Sequence, residues 1–293
     1  MASGITERII RPVKRSAERK KYLIIQTAFL GDVVLATVLI EKLHEHFPEA
    51  QIDFLLRKGN EGLLKGHPWL NQVLVWDKGK GKYRNLYALL RKIRREKYNA
   101  VINLQRYAST GLLTGFSAGS RRIGFNKNPF SFLFTKSIKH VFGTDEKPRH
   151  EVDRNLDLIR SFTDFQPALP RLYPSEGDFA AVAQYKQSPY ICIAPTSVWL
   201  TKQFPLDKWN SFIRMLPSGL PVYLLGGGAD GPACEELQRL TGRENVRNLC
   251  GKLSYLQAAA LLRDALMNYV NDSAPMHFCS AMNAPVTAVY CST

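Results

Sequence analysis

The chain alternates short apolar runs with longer stretches in which apolar residues recur every three or four positions. In the first half, apolar runs predict strands over residues 21–27, 51–56, 72–76, 100–104 and 122–125. The helical spacing predicts helices over residues 32–47, 83–97, 110–116 and 151–162. Such alternation with short connections predicts an α/β fold with a mostly parallel, doubly wound sheet. Residues 130–142 lack a clear period and fit either a mobile loop over a site or a β-rich excursion packed on the core.

The same alternation returns after a proline-containing stretch. Residues 166–188 break the pattern and are interpreted as a linker. Beyond it, strands are predicted over residues 190–194, 222–225, 246–249, 267–270 and 285–290, and helices over 206–216, 232–240, 255–263 and 275–282. We therefore expect two doubly wound, Rossmann-like domains, residues 1–165 with a basic extension over 1–20, and residues 189–293. Because a strand pattern almost reaches position 293, the C-terminal domain is expected to be incomplete.

The composition narrows the class of protein. The chain has 293 residues, of which 45% are hydrophobic, as is typical of soluble globular proteins. No apolar run approaches the roughly 18 residues of a membrane span, and the basic N-terminus lacks the apolar stretch of a secretory signal, so a cytoplasmic protein is expected. The five cysteines are odd in number and lack C-x-x-C spacing, which indicates reduced core thiols rather than disulfides or metal ligands.

A formal net charge of +15 indicates an anionic partner. Such a charge attracts nucleic acid, anionic membrane surfaces or phosphorylated substrates alike. The sequence has neither interleaved aromatics on a strand nor zinc-ligand spacing, so no nucleic-acid partner is expected. The basic residues concentrate at 8–21, 78–95 and 121–139. These segments are either ordinary solvated faces or a surface that lies against acidic lipid headgroups.

Two polar turns in the second half are suited to phosphate. Residues 195–205 and 271–277 each follow a predicted strand and lead into a predicted helix, and their polar side chains include Thr196, Ser197, Lys202, Asp272, Ser273 and His277. Hydroxyls, a cation and free helix N–H groups together bind phosphate. Taken alone, the first turn is better explained as an ordinary solvated turn, and the second could be only a helix N-cap with His277 as a core histidine. Two such turns in one half favour a diphosphate ligand.

A third polar position lies in the first half, where Asp32 follows the first predicted strand. Open α/β sheets bind ligands at the carboxyl ends of their strands. Spacing alone nevertheless favours Asp32 as an ordinary helix cap. The nucleotide fingerprint G-x-G-x-x-G is absent from this turn, which argues against a nicotinamide dehydrogenase. Gly226, Gly227 and Gly228 lack the remaining spacing and indicate a tight turn.

From about residue 22 onward, the sequence resembles glycosyltransferase family 9, the ADP-heptose:lipopolysaccharide heptosyltransferases. The resemblance rests on several ordered motifs: Leu30-Gly31-Asp32-Val33-Val34, Gly119-Ser120-Arg121-Arg122-Ile123-Gly124-Phe125, Lys202-x-Phe204-Pro205 with Trp209, and Asn271-Asp272-Ser273-x-Pro275-Met276-His277 followed by Ala284-Pro285-Val286. It implies the GT-B fold, in which two Rossmann-like domains face a cleft. The N-terminal domain would hold the acceptor and the C-terminal domain the nucleotide-sugar.

The resemblance also implies roles for residues. Asp32 would be the general base and Lys202 would stabilise the leaving diphosphate. Donor binding would fall to Thr196, Ser197, Asp272, Ser273, Ala274 and His277, and acceptor binding to Gly31, Arg121 and Arg122. Ala274 departs from the family, which usually has glycine there. A free aspartate has a pKa of about 3.9, so Asp32 would act late in bond breaking or in a dehydrated cleft.

The implied reaction is an inverting, metal-independent transfer of heptose from ADP-heptose to a lipopolysaccharide inner-core or similar anionic, lipid-linked acceptor. No Asp-x-Asp sequence occurs, and neither a metal nor a cofactor is expected. The protein would lie peripherally at the inner face of the cytoplasmic membrane. Two alternatives stay open: a transferase that uses another nucleotide-sugar, and a non-catalytic nucleotide or nucleic-acid binding module.

Overall fold

The computed structural model of the chain describes residues 19–79, 81–144 and 146–291. Most of the basic extension predicted over residues 1–20 lies outside these described residues.

The N-terminal half forms a parallel six-stranded sheet with the order β3-β2-β1-β4-β5-β6. Its strands are β1 (Lys21–Ile25), β2 (Gln51–Arg57), β3 (Leu70–Trp76), β4 (Ala100–Asn103), β5 (Arg121–Phe125) and β6 (Lys136–Ile138). The first five strands confirm the predicted ones. The edge strand β6 and a 3-10 turn at Ser131–Leu133 belong to the segment without a clear period. That segment is therefore an excursion packed on the sheet.

Helices cover both faces of this sheet. They are α1 (Leu30–His46), α2 (Lys82–Glu96), α3 (Ala108–Gly115) and α4 (Glu151–Asp157). Side chains alternate along β1, so Ile24 joins the buried cluster under α1, whereas Leu23 and Ile25 join the cluster under α2. Central strands of a doubly wound sheet are buried on both faces, which explains their continuous apolar runs. The helix predicted over 151–162 is shorter, because the chain turns after Asp157.

The C-terminal half forms a parallel five-stranded sheet with the order β11-β10-β7-β8-β9. Its strands are β7 (Ile191–Ala194), β8 (Val222–Leu224), β9 (Val246–Asn248), β10 (Met267–Asn271) and β11 (Val286–Val289). Its helices are α5 (Glu176–Val182), α6 (Leu206–Met215), α7 (Gly231–Thr241), α8 (Tyr255–Arg263) and α9 (Ala274–Ala281). Helix α5 lies inside the segment interpreted as a linker and packs against α8. Within this segment, residues 166–174 form an extended connection that ends at Ser175, the N-cap of α5.

The two halves pack directly on each other through α1 and α9. Buried apolar residues from both halves, such as Val34 of α1 and Phe278 of α9, belong to one continuous cluster. The connection adds polar contacts, since the N–H of Arg171 donates to Oγ1 of Thr37 at 3.0 Å. This packing brings the carboxyl ends of β1, β7 and β10 to one cleft.

All five cysteines are free thiols, and four of them are buried, as expected of core thiols. Among the described helices, none combines the length and the apolar character needed to cross a membrane.

Candidate active site

Two neighbouring cavities of about 310 Å³ each lie at the cleft. The first, the N-terminal cavity, is lined by residues of the N-terminal half alone. The second, the interdomain cavity, is lined by residues of both halves. Ala28, Phe29 and Asp32 line both cavities and form the wall between them. A carboxylate in this wall can contact a group bound on either side.

Asp32 is held at this wall by the turn between β1 and α1. Its Oδ2 accepts a hydrogen bond from the N–H of Phe29 at 2.8 Å, so Asp32 does cap the first turn of α1. Gln105, which follows β4, holds this turn in place through two hydrogen bonds. Its Nε2 donates to the Ala28 carbonyl at 2.8 Å, and its Oε1 accepts from Oγ1 of Thr27 at 2.6 Å. No described residue donates to the other carboxylate oxygen of Asp32, which leaves that oxygen for a ligand.

Asn271 joins the two polar turns of the C-terminal half. It is fully buried at the end of β10. Its Nδ2 donates to the Pro195 carbonyl at 2.7 Å, and its Oδ1 accepts from the N–H of Phe204 at 3.1 Å. Since β10 and β7 are adjacent in the sheet, one side chain reaches both loops. Asn271 therefore holds the loop of residues 195–205 against the loop of residues 271–273.

The cation of the first turn is paired with the carboxylate of the second. Nζ of Lys202 forms an ion pair with Oδ2 of Asp272, and both side chains are partly exposed to the interdomain cavity. Ser197 lines the same cavity, and its Oγ donates a long bond of 3.5 Å to the Asp272 carbonyl. The first turn leads into a helix as expected, since α6 begins at Leu206 and Pro205 is its N-cap. Before that helix the chain forms a 3-10 turn at Leu200–Lys202, so Ser197 and Lys202 lie ahead of the helix start and contribute through their side chains.

The second turn does open a helix, with Ser273 as the N-cap of α9. Oγ of Ser273 donates to the Asn271 carbonyl at 3.3 Å and does not cap the helix. Pro275 has no N–H, and the N–H of Met276 donates to the Ser273 carbonyl at 3.1 Å. Among the first three residues of α9, only Ala274 keeps a backbone N–H for a ligand. Ala274 lines the interdomain cavity, so its methyl group borders the same space.

His277 closes the contact between the two halves next to Asp32. A Cβ atom at Gly31 would lie 2.5 Å from Cδ2 of His277, so the absence of a side chain at Gly31 is what admits the imidazole. Burial lowers the pKa of His277, although the charges of Asp32 and Asp272 oppose this effect. Because its ordinary pKa is already about 6.5, the imidazole is neutral at pH 7. A neutral imidazole can donate a hydrogen bond to a ligand at one nitrogen and accept one at the other.

The N-terminal cavity carries three cations, Arg106, Lys127 and Arg154. They surround His140, whose pKa is lowered first by burial and then by these three positive charges. Neither Arg106 nor Lys127 forms an ion pair with a described residue. Nε of Arg154 and Nδ1 of His140 are buried without hydrogen-bond partners. An anionic group in this cavity would meet uncompensated positive charge.

One carboxylate faces Asp32 across the N-terminal cavity. Glu151, the first residue of α4, lines the cavity and accepts from Nη2 of Arg154 at 3.3 Å. Burial, and next the negative charge of Asp32, raise the pKa of Glu151. The cavity thus has an acidic side beside Asp32 and a basic side around His140.

Most residues singled out in the sequence meet at the interdomain cavity: Gly31, Asp32, Ser197, Lys202, Asp272, Ser273, Ala274 and His277. Thr196 lies in the same loop but does not line either cavity. Arg121 and Arg122 lie at the beginning of β5, whereas the cavities lie at the carboxyl ends of the strands. The guanidinium of Arg121 stacks on Phe162, and Arg122 donates to the carbonyls of Gly119 and Leu133. The structure does not bring these two arginines to the site.

Several residues of the site were not singled out from the sequence: Arg57, Asn60, Gln105, Arg106, Lys127, His140, Glu151 and Arg154. For two of them a signal was present, because Gln105 and Arg106 directly follow a predicted strand, as Asp32 follows the first one. Asn271 was part of a family motif, but its role as a support of the two loops was not predicted.

Comparisons with known proteins agree with this geometry. The family described as "Glycosyltransferase family 9 (heptosyltransferase)" matches residues 86–293. Lipopolysaccharide heptosyltransferase 3 of Escherichia coli (strain K12) is 29% identical over 289 residues, which cover 90% of this chain and 80% of that protein. Among solved structures, E. coli ADP-heptose lps heptosyltransferase II has a TM-score of 0.77 at 23% identity, with 92% of this chain and 84% of that chain covered.

The E. coli heptosyltransferase WaaC with ADP has a TM-score of 0.71 at 21% identity, with 93% of this chain and 88% of that chain covered. At these identities, the solved structures establish the fold, which is the GT-B arrangement of two facing Rossmann-like domains. With a cleft, two adjoining cavities and a family match over most of its length, the chain belongs to glycosyltransferase family 9, the heptosyltransferases, and is a glycosyltransferase.

Proposed function

We propose that the protein transfers heptose from ADP-heptose to a lipopolysaccharide core or a similar anionic, lipid-linked glycan, with inversion at the anomeric carbon. The position of Asp32 in the wall between two cavities carries this proposal, since a transferase must hold donor and acceptor on either side of its base. Relatives named as lipopolysaccharide heptosyltransferases support the choice of sugar and acceptor.

The donor would occupy the interdomain cavity. Its diphosphate would lie against Nζ of Lys202, the hydroxyls of Ser197 and Ser273 and the free N–H of Ala274. Lys202 keeps its pairing with Asp272 in the free protein, so the ion pair holds the ammonium at the cavity until an anion arrives. A lysine acts on phosphate as a point charge and tolerates several oxygen positions.

The acceptor would occupy the N-terminal cavity. A phosphate or carboxylate on the glycan would bind among Arg106, Lys127 and Arg154, where the positive charge is least compensated. Neutral sugar hydroxyls would lie on the acidic side, near Asp32 and Glu151. This polarity orients the acceptor, because an anionic end is attracted to one side of the cavity and repelled from the other.

In the chemical step, the acceptor hydroxyl gives its proton to Asp32 as its oxygen forms a bond to the anomeric carbon. The bond from that carbon to the diphosphate oxygen breaks on the opposite face, and ADP leaves with the electron pair. The negative charge that develops on the diphosphate is stabilised by Lys202 and by neutral His277, which can donate a hydrogen bond. Lys202 supplies the positive charge that a metal ion supplies in many transferases, so the proposed step requires no metal and no cofactor.

The proposal places the protein in the cytoplasm, bound peripherally to the inner face of the cytoplasmic membrane. A lipid-linked acceptor is confined to a bilayer, so the enzyme must work at that surface. The net charge of +15 supports association with anionic lipid.

The direct test is to measure release of ADP from ADP-heptose in the presence of a heptose-deficient lipopolysaccharide core, and to determine the anomeric configuration of the product. We expect turnover with ADP-heptose and an inverted linkage. ADP-mannose, UDP-glucose and GDP-mannose serve as matched donors. Faster transfer from any of them, or retention of configuration, would contradict the proposal.

A further inference from the structure

Helix α2 presents an exposed face that none of the site chemistry uses. Tyr83 and Tyr87 are 78% and 63% exposed, and Arg84, Arg91 and Arg95 are also exposed. Leu89 and Ile93, on the opposite side of the helix, are buried in the core. Residues four apart on a helix lie on the same side, so Tyr83, Tyr87 and Arg91 form one stripe.

The charged side chains of this helix are almost all positive. Its sequence contains six lysines and arginines and a single carboxylate, Glu96. That carboxylate is already paired, because it accepts from Nζ of Lys21 at 2.9 Å. The arginines of the exposed face therefore have no acidic neighbour on their own helix to neutralise them. An exposed helix face of this charge is complementary to a surface of negative charge.

The fold directs this face away from the C-terminal domain. Helix α2 covers the cluster of Leu23, Ile25 and Leu55, whereas α1, which carries the contact with α9, covers the other face of the sheet. A flat partner can therefore approach α2 without meeting the C-terminal domain. Beside the end of the helix, Nη1 of Arg94 donates to the carbonyl of Phe116 at 2.8 Å, and Phe116 is 48% exposed.

The start of the helix lies close to the cavities. Helix α2 follows β3 and precedes β4, so it runs from the cleft edge of the sheet to the opposite edge over about 22 Å. Just before it, Nζ of Lys78 donates to Oγ1 of Thr27, next to Ala28 in the shared wall, at 3.3 Å. A molecule anchored beneath α2 thus reaches the N-terminal cavity past the first residues of the helix.

We propose that the face of α2 formed by Tyr83, Arg84, Tyr87, Arg91 and Arg95, the α2 face, docks on a lipid bilayer with anionic headgroups. Arginines would contact the headgroups, and the tyrosine rings would lie at the level of the headgroups, where amphipathic aromatic side chains concentrate. The proposal rests on the proposed function only in choosing a bilayer as the anionic partner, since a lipid-linked acceptor has to be delivered to the N-terminal cavity.

The test is co-sedimentation of the full chain with phosphatidylcholine vesicles that contain or lack phosphatidylglycerol. We expect binding to the anionic vesicles alone, and weaker binding as salt is added, because salt screens exposed charges. The paired variant R84E/R91E and the paired variant Y83A/Y87A should each lower the partition coefficient at least about tenfold. A milder pair, R84Q/R91Q, tests the arginines with a smaller change.

The matched control is K208E/R247E, which makes the same change of charge at exposed positions of the C-terminal domain. It should bind the vesicles within about twofold of the unmodified chain, since non-specific net charge is then equal in both pairs. Equal loss in the control and in R84E/R91E, or unchanged binding of all α2 variants, would overturn the proposal. So would tighter binding to a DNA duplex than to anionic vesicles at equal salt.

Transfer to a short-chain, water-soluble acceptor separates this proposal from the proposed function. The α2 variants should keep this activity within about twofold while they lose vesicle binding, because their side chains do not line either cavity. If soluble-acceptor activity is absent from the unmodified chain but vesicle binding follows the α2 face, the function fails and the docking surface stands.

Discussion

Replacing Asp32 by asparagine or by alanine separates the helix cap seen in the structure from the proposed role of this residue as a general base. Oδ2 of Asp32 caps α1 by accepting the N–H of Phe29 at 2.8 Å, and the same carboxylate lines both cavities. Asparagine has nearly the same shape and keeps an oxygen that can accept this hydrogen bond, but it cannot take a proton from a sugar hydroxyl at neutral pH. Alanine can do neither.

The magnitudes of the two effects differ enough to be told apart. Loss of a cap costs about 0.5–2 kcal/mol, so Asp32→Ala should lower the melting temperature by about 2–4 °C for each kcal/mol. Asp32→Asn should melt within about 1 °C of the unmodified protein, since the cap is retained. Loss of a general base lowers the rate by roughly 10²–10⁴, and this loss should be similar in both variants.

The assay combines thermal melting with kcat for transfer from ADP-heptose at saturating donor and acceptor. The reasoning is refuted if Asp32→Asn keeps kcat within about threefold, because the carboxylate would then serve only as a cap. It is also refuted if the activity lost in each variant simply follows its lost stability.

Three further outcomes follow from the same geometry. Gly31→Ala should lower kcat/KM for the donor by about tenfold or more, with only a small change in melting temperature. The reason is that a Cβ at this position would lie 2.5 Å from Cδ2 of His277 and displace the imidazole. Unchanged donor kinetics would contradict this prediction. Lys202→Met should lower kcat by about 10²–10³, and Lys202→Arg should recover part of it; a change in KM alone would show that Lys202 binds the donor without stabilising the leaving group. Glu151→Gln tests the pH dependence of stability. Burial and the charge of Asp32 raise the pKa of Glu151, so ionising this carboxyl group opposes folding. The stability of the unmodified protein relative to the variant should therefore fall as pH rises through that raised pKa. Melting curves at about pH 4 and about pH 7.5 check this, and a variant that is destabilised only at the higher pH would disprove it.

The central strands could be predicted because their burial on both faces requires a run of consecutive apolar residues. Strands such as β1 and β4 are buried on both faces, so β1 is apolar from Tyr22 to Ile25 and β4 from Ala100 to Ile102, and these runs stand out from the flanking turns. Strand β6 could not be predicted, since an edge strand of three residues with the sequence Lys-Ser-Ile is partly exposed and leaves no apolar run. Helix α5 has seven residues and follows prolines, which concealed it within a segment read as a linker.

The arginine pair shows a different limit. Arg121 and Arg122 belong to a motif of the family, and their charge fits an anionic acceptor. In a parallel sheet, however, residues at the beginning of a strand lie at the edge opposite the carboxyl ends, and these arginines precede the apolar part of β5. The predicted strand over 122–125 in a parallel sheet already indicates this position, which the structure confirms, whereas the motif alone does not show it.

The sequence by itself determined the two doubly wound halves, the family, and the polar turns that carry Asp32, Lys202 and Asp272, because each of these is expressed in residues that are neighbours along the chain. Only the tertiary structure decided that Asp32 stands in the wall between two cavities, and that Glu151 and Arg154 line one of them. The reason is physical. Residues more than a hundred positions apart meet only where strand order and the packing of α4 against α1 place them, and the energy of that packing is shared among many buried side chains.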